Sequence, residues 1–355
     1  MNAAENPVGR YTLTLSGPRV VFGAGVAEKG LVEELDRLQA RRVLLVASPR
    51  ERKARDSMLE RIADRVVGHV AEVWRHVPRA NAQSATALAQ ELDADCLLSI
   101  GGGSAVGTAK AVALETGLPI LALPTTYAGS ELTPIYGITD RGIKRTGRSD
   151  RVLPRTVLLD PVLSSDLPQD ITRFSAVNAL AHCASAVFAS GHGPVTDLLA
   201  AGGVRLLASG LRRINTDPAD SGARADLAQG AHLAGTVLAH AGTSAHHTVC
   251  HILGGAFDLP HAETHAAILP PALAFLQEGA PERAAVLGQA LGATDAAAAM
   301  KALLAEVGAT VRLRDIGLPE VRLVQAEQLL SGDGTASGVP GMDRAHAARL
   351  LEEAW

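Results

Sequence analysis

Two hydrophobic patterns divide the chain near residue 160. Before that point, short apolar runs alternate with longer stretches that are rich in helix-forming residues. Continuous apolar runs are typical of parallel strands that are buried on both faces of a sheet. Strands and helices in alternation predict a doubly wound parallel sheet with right-handed crossovers. The predicted strands are residues 11–15, 42–47, 66–73, 96–100, 119–123 and 157–159, and the predicted helices between them include residues 51–65 and 83–92.

The second half of the chain carries a helical pattern to its end. We therefore expect an α/β domain over residues 1–162 and an all-α domain over residues 163–355. The glycine-rich segment 332–341 is expected to be a mobile loop. The predicted helices are residues 175–189, 194–209, 221–239, 243–253, 265–276, 281–291, 295–307, 319–330 and 343–353.

Composition narrows the class of protein. The 355 residues are 47% apolar and 20% charged, with a net charge of −4, which argues against a nucleic-acid surface because such surfaces need clustered excess Lys and Arg. No apolar run reaches the roughly 18 residues that span a bilayer, and residues 1–10 lack the features of a signal peptide. We expect a soluble cytoplasmic protein without membrane partners. Its three dispersed cysteines are expected to be buried thiols.

A glycine triplet follows the strand predicted at residues 96–100. Gly101, Gly102 and Gly103 allow close approach of backbone N–H groups, and a helix that starts near Ser104 points its positive end at the same place. This arrangement is typical of a site for the diphosphate of a nucleotide, although a tight turn without a ligand is the alternative.

Hydroxyl side chains follow the next predicted strand, at the same edge of the sheet. Thr125, Thr126 and Ser130 are candidates for contacts with a ribose or phosphate, whereas turn formation alone would also explain them. After the strand at 42–47, where dinucleotide enzymes usually carry an acidic residue for the ribose 2′-OH, the chain offers Ser48 and Arg50. Without a carboxylate to repel it, a 2′-phosphate becomes acceptable, so NADH and NADPH are both candidate cofactors.

Histidines are concentrated in the second half of the chain. His247 and His251 share one helix face because they are four residues apart, and Asn178 and His182 repeat this spacing on an earlier helix. A turn could bring His261 toward them, and together these groups would form a metal site. The roles of His232, His240, His246 and His265 stay open, whereas His69, His76, His192 and His346 are interpreted as packing or surface residues.

The chain resembles the iron-containing (group III) alcohol dehydrogenases and, within them, the maleylacetate reductases. The resemblance covers nearly the whole length and implies a dehydroquinate synthase-like fold, with a dinucleotide-binding domain, a helical domain, an active site between them and a homodimer. The motifs that carry it are residues 101–104, 124–131, 143–148, 151–156, 178–182, 246–251 and 259–265.

Site residues follow from the resemblance position by position. The metal positions would be Asn178, His182, His247 and His261, with His251 close to the nicotinamide as a proton relay. Metal-dependent members have aspartate at the first of these positions, so the amide of Asn178 implies a weak Fe²⁺ or Zn²⁺ site. The resemblance further implies that Lys144 contacts the cofactor and that substrate is bound by Tyr127, Arg148, Asn178 and His246. Candidate partners for the substrate carboxylates are Lys144, Arg145, Arg148 and Arg151, and a solvated surface loop is the alternative interpretation of these four residues.

The implied reaction is NADH- or NADPH-dependent reduction of the conjugated double bond of maleylacetate, a dicarboxylate of aromatic catabolism, to 3-oxoadipate. The enolate delocalises its charge, so His182 or His247 could hold its oxygen without a metal, and His251 or a water would supply the proton. Three segments depart from the resemblance: residues 184–185, 242–245 and 332–341. A relative recruited to another unsaturated or carbonyl acid, or a nucleotide-binding protein without catalysis, are the alternatives.

Overall fold

A computed structural model describes residues 12–140, 143–332 and 338–355. Six parallel strands form the main sheet in the order β1-β8-β5-β4-β2-β3, and β6 and β7 form a separate antiparallel hairpin. The strands are β1 (Arg19–Phe22), β2 (Val43–Val46), β3 (Val66–Val70), β4 (Cys96–Gly101), β5 (Ile120–Pro124), β6 (Ile135–Asp140), β7 (Ile143–Arg148) and β8 (Thr156–Leu159).

Helices cover both faces of the main sheet, as the continuous apolar runs predict. In β2, Leu44 packs into the core shared with the helices at residues 79–91 and 103–116, while Val43 and Leu45 point into the core shared with the helices at residues 26–37 and 56–60. Successive side chains of a strand point to opposite faces, so a strand covered twice must be apolar throughout. The helices of this domain are α1 (Val26–Arg37), α2 (Pro49–Ala54), α3 (Asp56–Glu60), α4 (Arg79–Glu91) and α5 (Gly103–Thr116).

The second half of the chain is helical, and one helix runs through its centre. Almost every residue of α6 from Ser175 to Val187 is buried, because α7, α8 and α10 pack around it. The core on the α5 side of the sheet continues into this domain without interruption. The helices are α6 (Gln169–Val187), α7 (Pro194–Thr216), α8 (Ser221–Ala241), α9 (Ala245–Phe257), α10 (His261–Gly279), α11 (Pro281–Leu291), α12 (Ala296–Glu306), α13 (Leu323–Ser331) and α14 (Arg344–Ala354).

The predicted fold class is confirmed, and individual elements differ from the predictions. The strand expected at residues 11–15 is wrong, since residues 12–15 have no regular structure. The helix expected at 51–65 divides at Arg55 into α2 and α3. The β6–β7 hairpin was not predicted, and half of the loop expected at 332–341, residues 333–337, lies outside the described residues.

The cysteines and the lengths of the apolar helices were also predicted from composition. All three cysteines are buried free thiols, and burial raises the pKa of Cys96 and of Cys183 to about 12. Across the described ranges, no helix combines the length and the apolar character needed to cross a bilayer.

The two domains meet closely at Gly235 on α8. A Cβ atom there would clash with the carbonyl oxygen of Gly129 and lie 2.8 Å from a methyl group of Leu132. Gly129 itself has φ 72°, in the left-handed region, so neither backbone can shift without strain elsewhere. The contact fixes α8 against the loop that follows β5.

Gly235→Ala should therefore destabilise the protein. Overpacking of a tight contact costs about 1–3 kcal/mol, which corresponds to a melting temperature lower by roughly 1–4 °C in a chain of this length. Gly255→Ala is the matched control, because Gly255 lies inside α9 with no atom within 4 Å of an added Cβ. In thermal unfolding, the melting temperature of the control should be unchanged or higher. An equal effect of both variants would contradict this account of the domain contact.

Candidate active site

A cavity of about 610 Å³ lies between the carboxyl edge of the main sheet and the helical domain. The sheet domain contributes the turn after β4, the loop after β5 and the β6–β7 hairpin, and the helical domain contributes α6, α9 and the start of α10. Ligands of open α/β sheets bind at this edge. The cavity is therefore the place where a nucleotide and a second ligand could meet.

The glycine turn forms one wall of the cavity. Gly101 has φ 144°, and a Cβ on Gly102 would lie 2.9 Å from Cγ2 of Thr126, so a larger residue at either position would be strained or would clash. Helix α5 starts at Gly103, and its N-cap residue supplies no side-chain hydrogen bond. The first turn of α5 is thus open toward the cavity and suited to bind an anion.

Most of the predicted cofactor contacts line the cavity. Thr125 does not, because its side chain is buried and its hydroxyl donates a hydrogen bond to Oε1 of Glu51 at 3.2 Å. The backbone of Lys144 belongs to β7, whereas its side chain lies outside the described structure. The residues that line the cavity are Ser48, Gly101, Gly102, Gly103, Ser104, Thr126 and Ser130.

Glu51 and Lys110 line the cavity without having been predicted. Glu51 lies one helical turn beyond Ser48, whose hydroxyl accepts a hydrogen bond from the Glu51 backbone N–H at 3.2 Å. Glu51 does not follow β2 directly, but α2 turns it back to the sheet edge. Arg50 is exposed and does not line the cavity.

Lys110 is a buried cation beneath the loop after β5. Its Nζ donates to the carbonyl oxygens of Ser130, Thr133 and Ile135 at 2.6, 2.7 and 2.7 Å. Burial lowers the pKa of Lys110 to about 7, while the nearby carboxylate of Glu131 acts in the opposite direction. Burial likewise raises the pKa of Glu131 to about 7. The ammonium thus fixes the loop rather than standing free in the cavity.

The predicted imidazoles converge on the other wall of the cavity. Asn178 and His182 lie on α6, His247 and His251 on α9, and His261 begins α10; all five line the cavity. The ring centroids of His182 and His247 are 5.2 Å apart, and those of His247 and His251 are 6.1 Å apart. The four-residue spacings therefore produce one shared face, as the sequence predicted.

Depth separates these imidazoles into two groups. His182 and His247 are buried, whereas His251 and His261 are exposed at the cavity wall. Burial lowers the pKa of His182 to about 3, with smaller contributions from His246 and His251, and burial lowers the pKa of His247 well below its usual range. The buried rings are neutral at pH 7 and can donate or accept one proton each.

His246 and His265 lie behind the rings that line the cavity. The His265 ring is fully buried, and its centroid lies 4.7 Å from that of His247 and 4.4 Å from that of His261. Neither of its ring nitrogens has a hydrogen-bond partner. Burial lowers the pKa of His246 to about 4 and that of His265 well below its usual range. The predicted substrate contact of His246 is not supported by this position, since its ring faces His247 and the His265 carbonyl.

The four metal positions implied by the resemblance do not form a good site for a hard cation. Asn178 supplies a neutral amide, and the other three ligands are neutral imidazoles, so the set carries no negative charge. Among the described His, Cys, Asp and Glu side chains, the group whose donor atoms lie within 4.8 Å of one another is His246, His247 and His265. His182, His247 and His261 do not form such a group, and Asn178 supplies an amide in place of a carboxylate, so this quartet is a poor match for Fe²⁺.

Two predicted substrate contacts lie outside the cavity. The Tyr127 hydroxyl is buried against Oγ of Ser164 at 2.9 Å, and the Arg148 guanidinium donates to the carbonyl oxygen of Ala239 at 2.6 Å. Arg145 and Arg151 also do not line the cavity. Among the described side chains, the cations at the cavity wall are Arg75 and Lys110. The sequence showed which residues were basic but not which carbonyls would accept their hydrogen bonds.

Two of the segments that depart from the resemblance meet in the structure. Ser185 Oγ lies 2.8 Å from Ser244 Oγ and accepts a hydrogen bond from the Ser244 backbone N–H at 2.7 Å. Ser244 is the residue before α9. The pair therefore ties α6 to the start of the helix that carries His247 and His251.

Comparison with known proteins agrees with this architecture. A sequence model of iron-containing alcohol dehydrogenases matches residues 17–161, and a model of the C-terminal part of the Fe-containing alcohol dehydrogenase family matches residues 172–340. The chain belongs to the iron-containing alcohol dehydrogenase family. The family assignment predicted from the motifs is confirmed, whereas the expected homodimer stays a prediction.

Relatives within this family include maleylacetate reductases. The enzyme of Burkholderia cepacia is 45% identical over 302 residues, which are 85% of this chain and 86% of the relative. The crystal structure of maleylacetate reductase from Agrobacterium tumefaciens has a TM-score of 0.91 and 35% identity, covering 98% of both chains. That of the enzyme from Rhizobium sp. strain MTP-10005 has the same TM-score and coverage at 34% identity.

The buried imidazoles should make the protein sensitive to acid. As the pH falls below 6.5, the unfolded chain binds protons at histidines that stay neutral in the folded protein, so the free energy of unfolding decreases. Each such histidine contributes a loss of about 1.4 kcal/mol per pH unit until its folded pKa is reached, about 3 for His182. Urea unfolding at several pH values between 7.5 and 4.5 measures this slope.

His182→Gln removes one of these titrating groups. In this variant the free energy of unfolding should fall less steeply with pH than in the unaltered protein, by about 1.4 kcal/mol per pH unit. His346→Gln serves as control, because His346 is outside the cluster and bonded to Asp343. Stability that does not change between pH 7.5 and 5 would contradict the burial of neutral rings.

Proposed function

We propose that this chain is an NAD(P)H-dependent maleylacetate reductase, which reduces the conjugated double bond of its dicarboxylate substrate to give 3-oxoadipate. The observation that carries the proposal is that one cavity is lined both by the glycine turn of the sheet and by the imidazoles of the helical domain. The identity to maleylacetate reductases over most of the chain supports the same substrate.

The residues that would hold the nucleotide are those of the sheet edge. The open first turn of α5 and the N–H groups of Gly102 and Gly103 suit a diphosphate, and Thr126 and Ser130 offer hydroxyls next to it. When bound, the nicotinamide supplies a hydride to the conjugated double bond. The loop fixed by Lys110 lies between this edge and the imidazoles.

Anionic substrate is favoured at the helical wall. Helix α10 is 19 residues long and starts at His261, and Pro260, His261 and Ala262 all line the cavity. The positive end of its dipole therefore faces the space next to the imidazoles and attracts a carboxylate. Arg75 at the opposite wall is a second candidate partner for the substrate.

The imidazoles have separate tasks in this proposal. His182 and His247, buried and neutral, would donate hydrogen bonds to the oxygen of the developing enolate, whose charge is spread over several atoms. His251 is exposed at the cavity wall, so it can take a proton from water and deliver it to the substrate carbon. Because the enolate is delocalised and the ligand set is neutral, this reaction does not depend on a metal.

The purified protein should oxidise NADH or NADPH when maleylacetate is added, and turnover should survive treatment with a strong chelator. The absorbance of the reduced nicotinamide measures the rate, and metal analysis of the same sample measures bound iron and zinc. Loss of turnover on chelation with recovery on addition of Fe²⁺ or Zn²⁺ would contradict the metal-free mechanism. Absence of turnover with either nucleotide would contradict the substrate assignment.

His251→Asn should lower kcat by about 100-fold or more, because a positioned proton donor typically contributes that much. Binding of NADH, measured by fluorescence titration, should change little, since the nucleotide contacts lie mainly on the sheet domain. His346→Asn, far from the cavity at the surface, is the matched control and should keep full activity. If His251→Asn kept its kcat, water alone would be the proton donor.

A further inference from the structure

Glu51 occupies the corner of the cavity where β2 and β4 end. These strands are neighbours in the sheet, with Val46 opposite Ser99, so the residues after β2 lie beside the glycine turn after β4. An added Cβ on Gly101 would be 3.8 Å from Cγ of Glu51, and both residues line the cavity. A carboxylate is therefore present at this corner, although none follows β2 directly.

The two sides of the glycine turn differ in what they face, and this difference sets the orientation of a bound dinucleotide. On the β5 side, the loop through Gly129 packs on α8 and leads to the imidazoles. The nicotinamide must reach that side to meet a substrate. With the diphosphate at the turn, the adenosine half lies on the β2 side, next to Ser48 and Glu51.

The Glu51 carboxylate is held at the cavity wall, where its side chain is 23% exposed. Oε1 accepts the hydrogen bond from the Thr125 hydroxyl, which holds the group in place. Oε2 is shielded from solvent and has no hydrogen-bond partner; the nearest cation, Nη2 of Arg55, is 3.9 Å away and donates to the carbonyl oxygen of Leu163.

We propose that Glu51 accepts hydrogen bonds from the adenosine ribose hydroxyls and so selects NADH over NADPH. This inference rests on the proposed function, because it assumes that the cavity binds a nicotinamide dinucleotide. A ribose 2′-OH is a donor and can hydrogen-bond to the carboxylate where it faces the cavity. A 2′-phosphate has only acceptors and places negative charge next to the carboxylate, so it is repelled.

Binding and turnover with both nucleotides test the proposal. Dissociation constants for NADH and NADPH, measured by calorimetry without maleylacetate, should favour NADH by at least tenfold, and kcat/KM should show the same preference. Glu51→Gln keeps the shape but removes the charge, and should reduce this preference at least tenfold. Glu60→Gln, at an exposed position on α3, should leave both values unchanged.

A second variant covers the case in which Glu51→Gln folds poorly. Thr125→Val removes the hydroxyl that orients the carboxylate, and should reduce the NADH preference severalfold. Equal affinities of the unaltered protein for the two nucleotides, or a preference unchanged in both variants, would overturn the inference. Failure to bind either nucleotide would overturn both this inference and the proposed function. A clear NADH preference that is reduced in Glu51→Gln, without turnover of maleylacetate, would support the role of Glu51 and contradict only the assignment of maleylacetate as substrate.

Discussion

The buried ammonium of Lys110 is the interaction on which the rest of the site depends. A charge in the interior is costly unless donors and acceptors are matched, and here three carbonyl oxygens of one loop accept its three protons. Lys110 lies on α5, directly behind the glycine turn, and the loop that it holds packs through Gly129 against α8. One side chain thus fixes the distance between the nucleotide edge and the helical domain, which a hydride transfer between them requires.

Most of the fold could be predicted because its strands are buried on both faces and leave an unbroken apolar signal in β2, β4 and β5. The β6–β7 hairpin could not, because its strands are only partly buried where they are described, and their pairing brings polar residues such as Thr139 into register. Residues 12–15 alternate in the same way as a strand but have no partner strand. Alternation indicates a possible pairing, and only the tertiary structure supplies the partner.

The candidate site was likewise predictable only in part. Residues four apart on a helix share a face whatever surrounds them, so the pairs on α6 and α9 could be predicted from spacing alone. Spacing does not give depth or hydrogen-bond partners, which is why Tyr127 and Arg148 were expected at the substrate and instead bond to Ser164 and Ala239. The position of Glu51 in the cavity could not be predicted from spacing, because Glu51 approaches the glycine turn from a neighbouring strand and is distant from it along the chain.

Depth also explains how so many imidazoles can share one cavity. Adjacent rings cannot all be protonated because their charges repel, and the buried rings of His182 and His247 additionally lack water to solvate a charge. Proton exchange is therefore assigned to the exposed wall, where His251 and His261 lie stacked with centroids 6.2 Å apart. The amide of Asn178 is a weaker ligand than a carboxylate, and the donor atoms of His182, His247 and His261 are not a set within 4.8 Å of one another. The same neutral base that is poor for iron is suited to an anionic substrate, because no fixed carboxylate opposes the charge that develops on its oxygen.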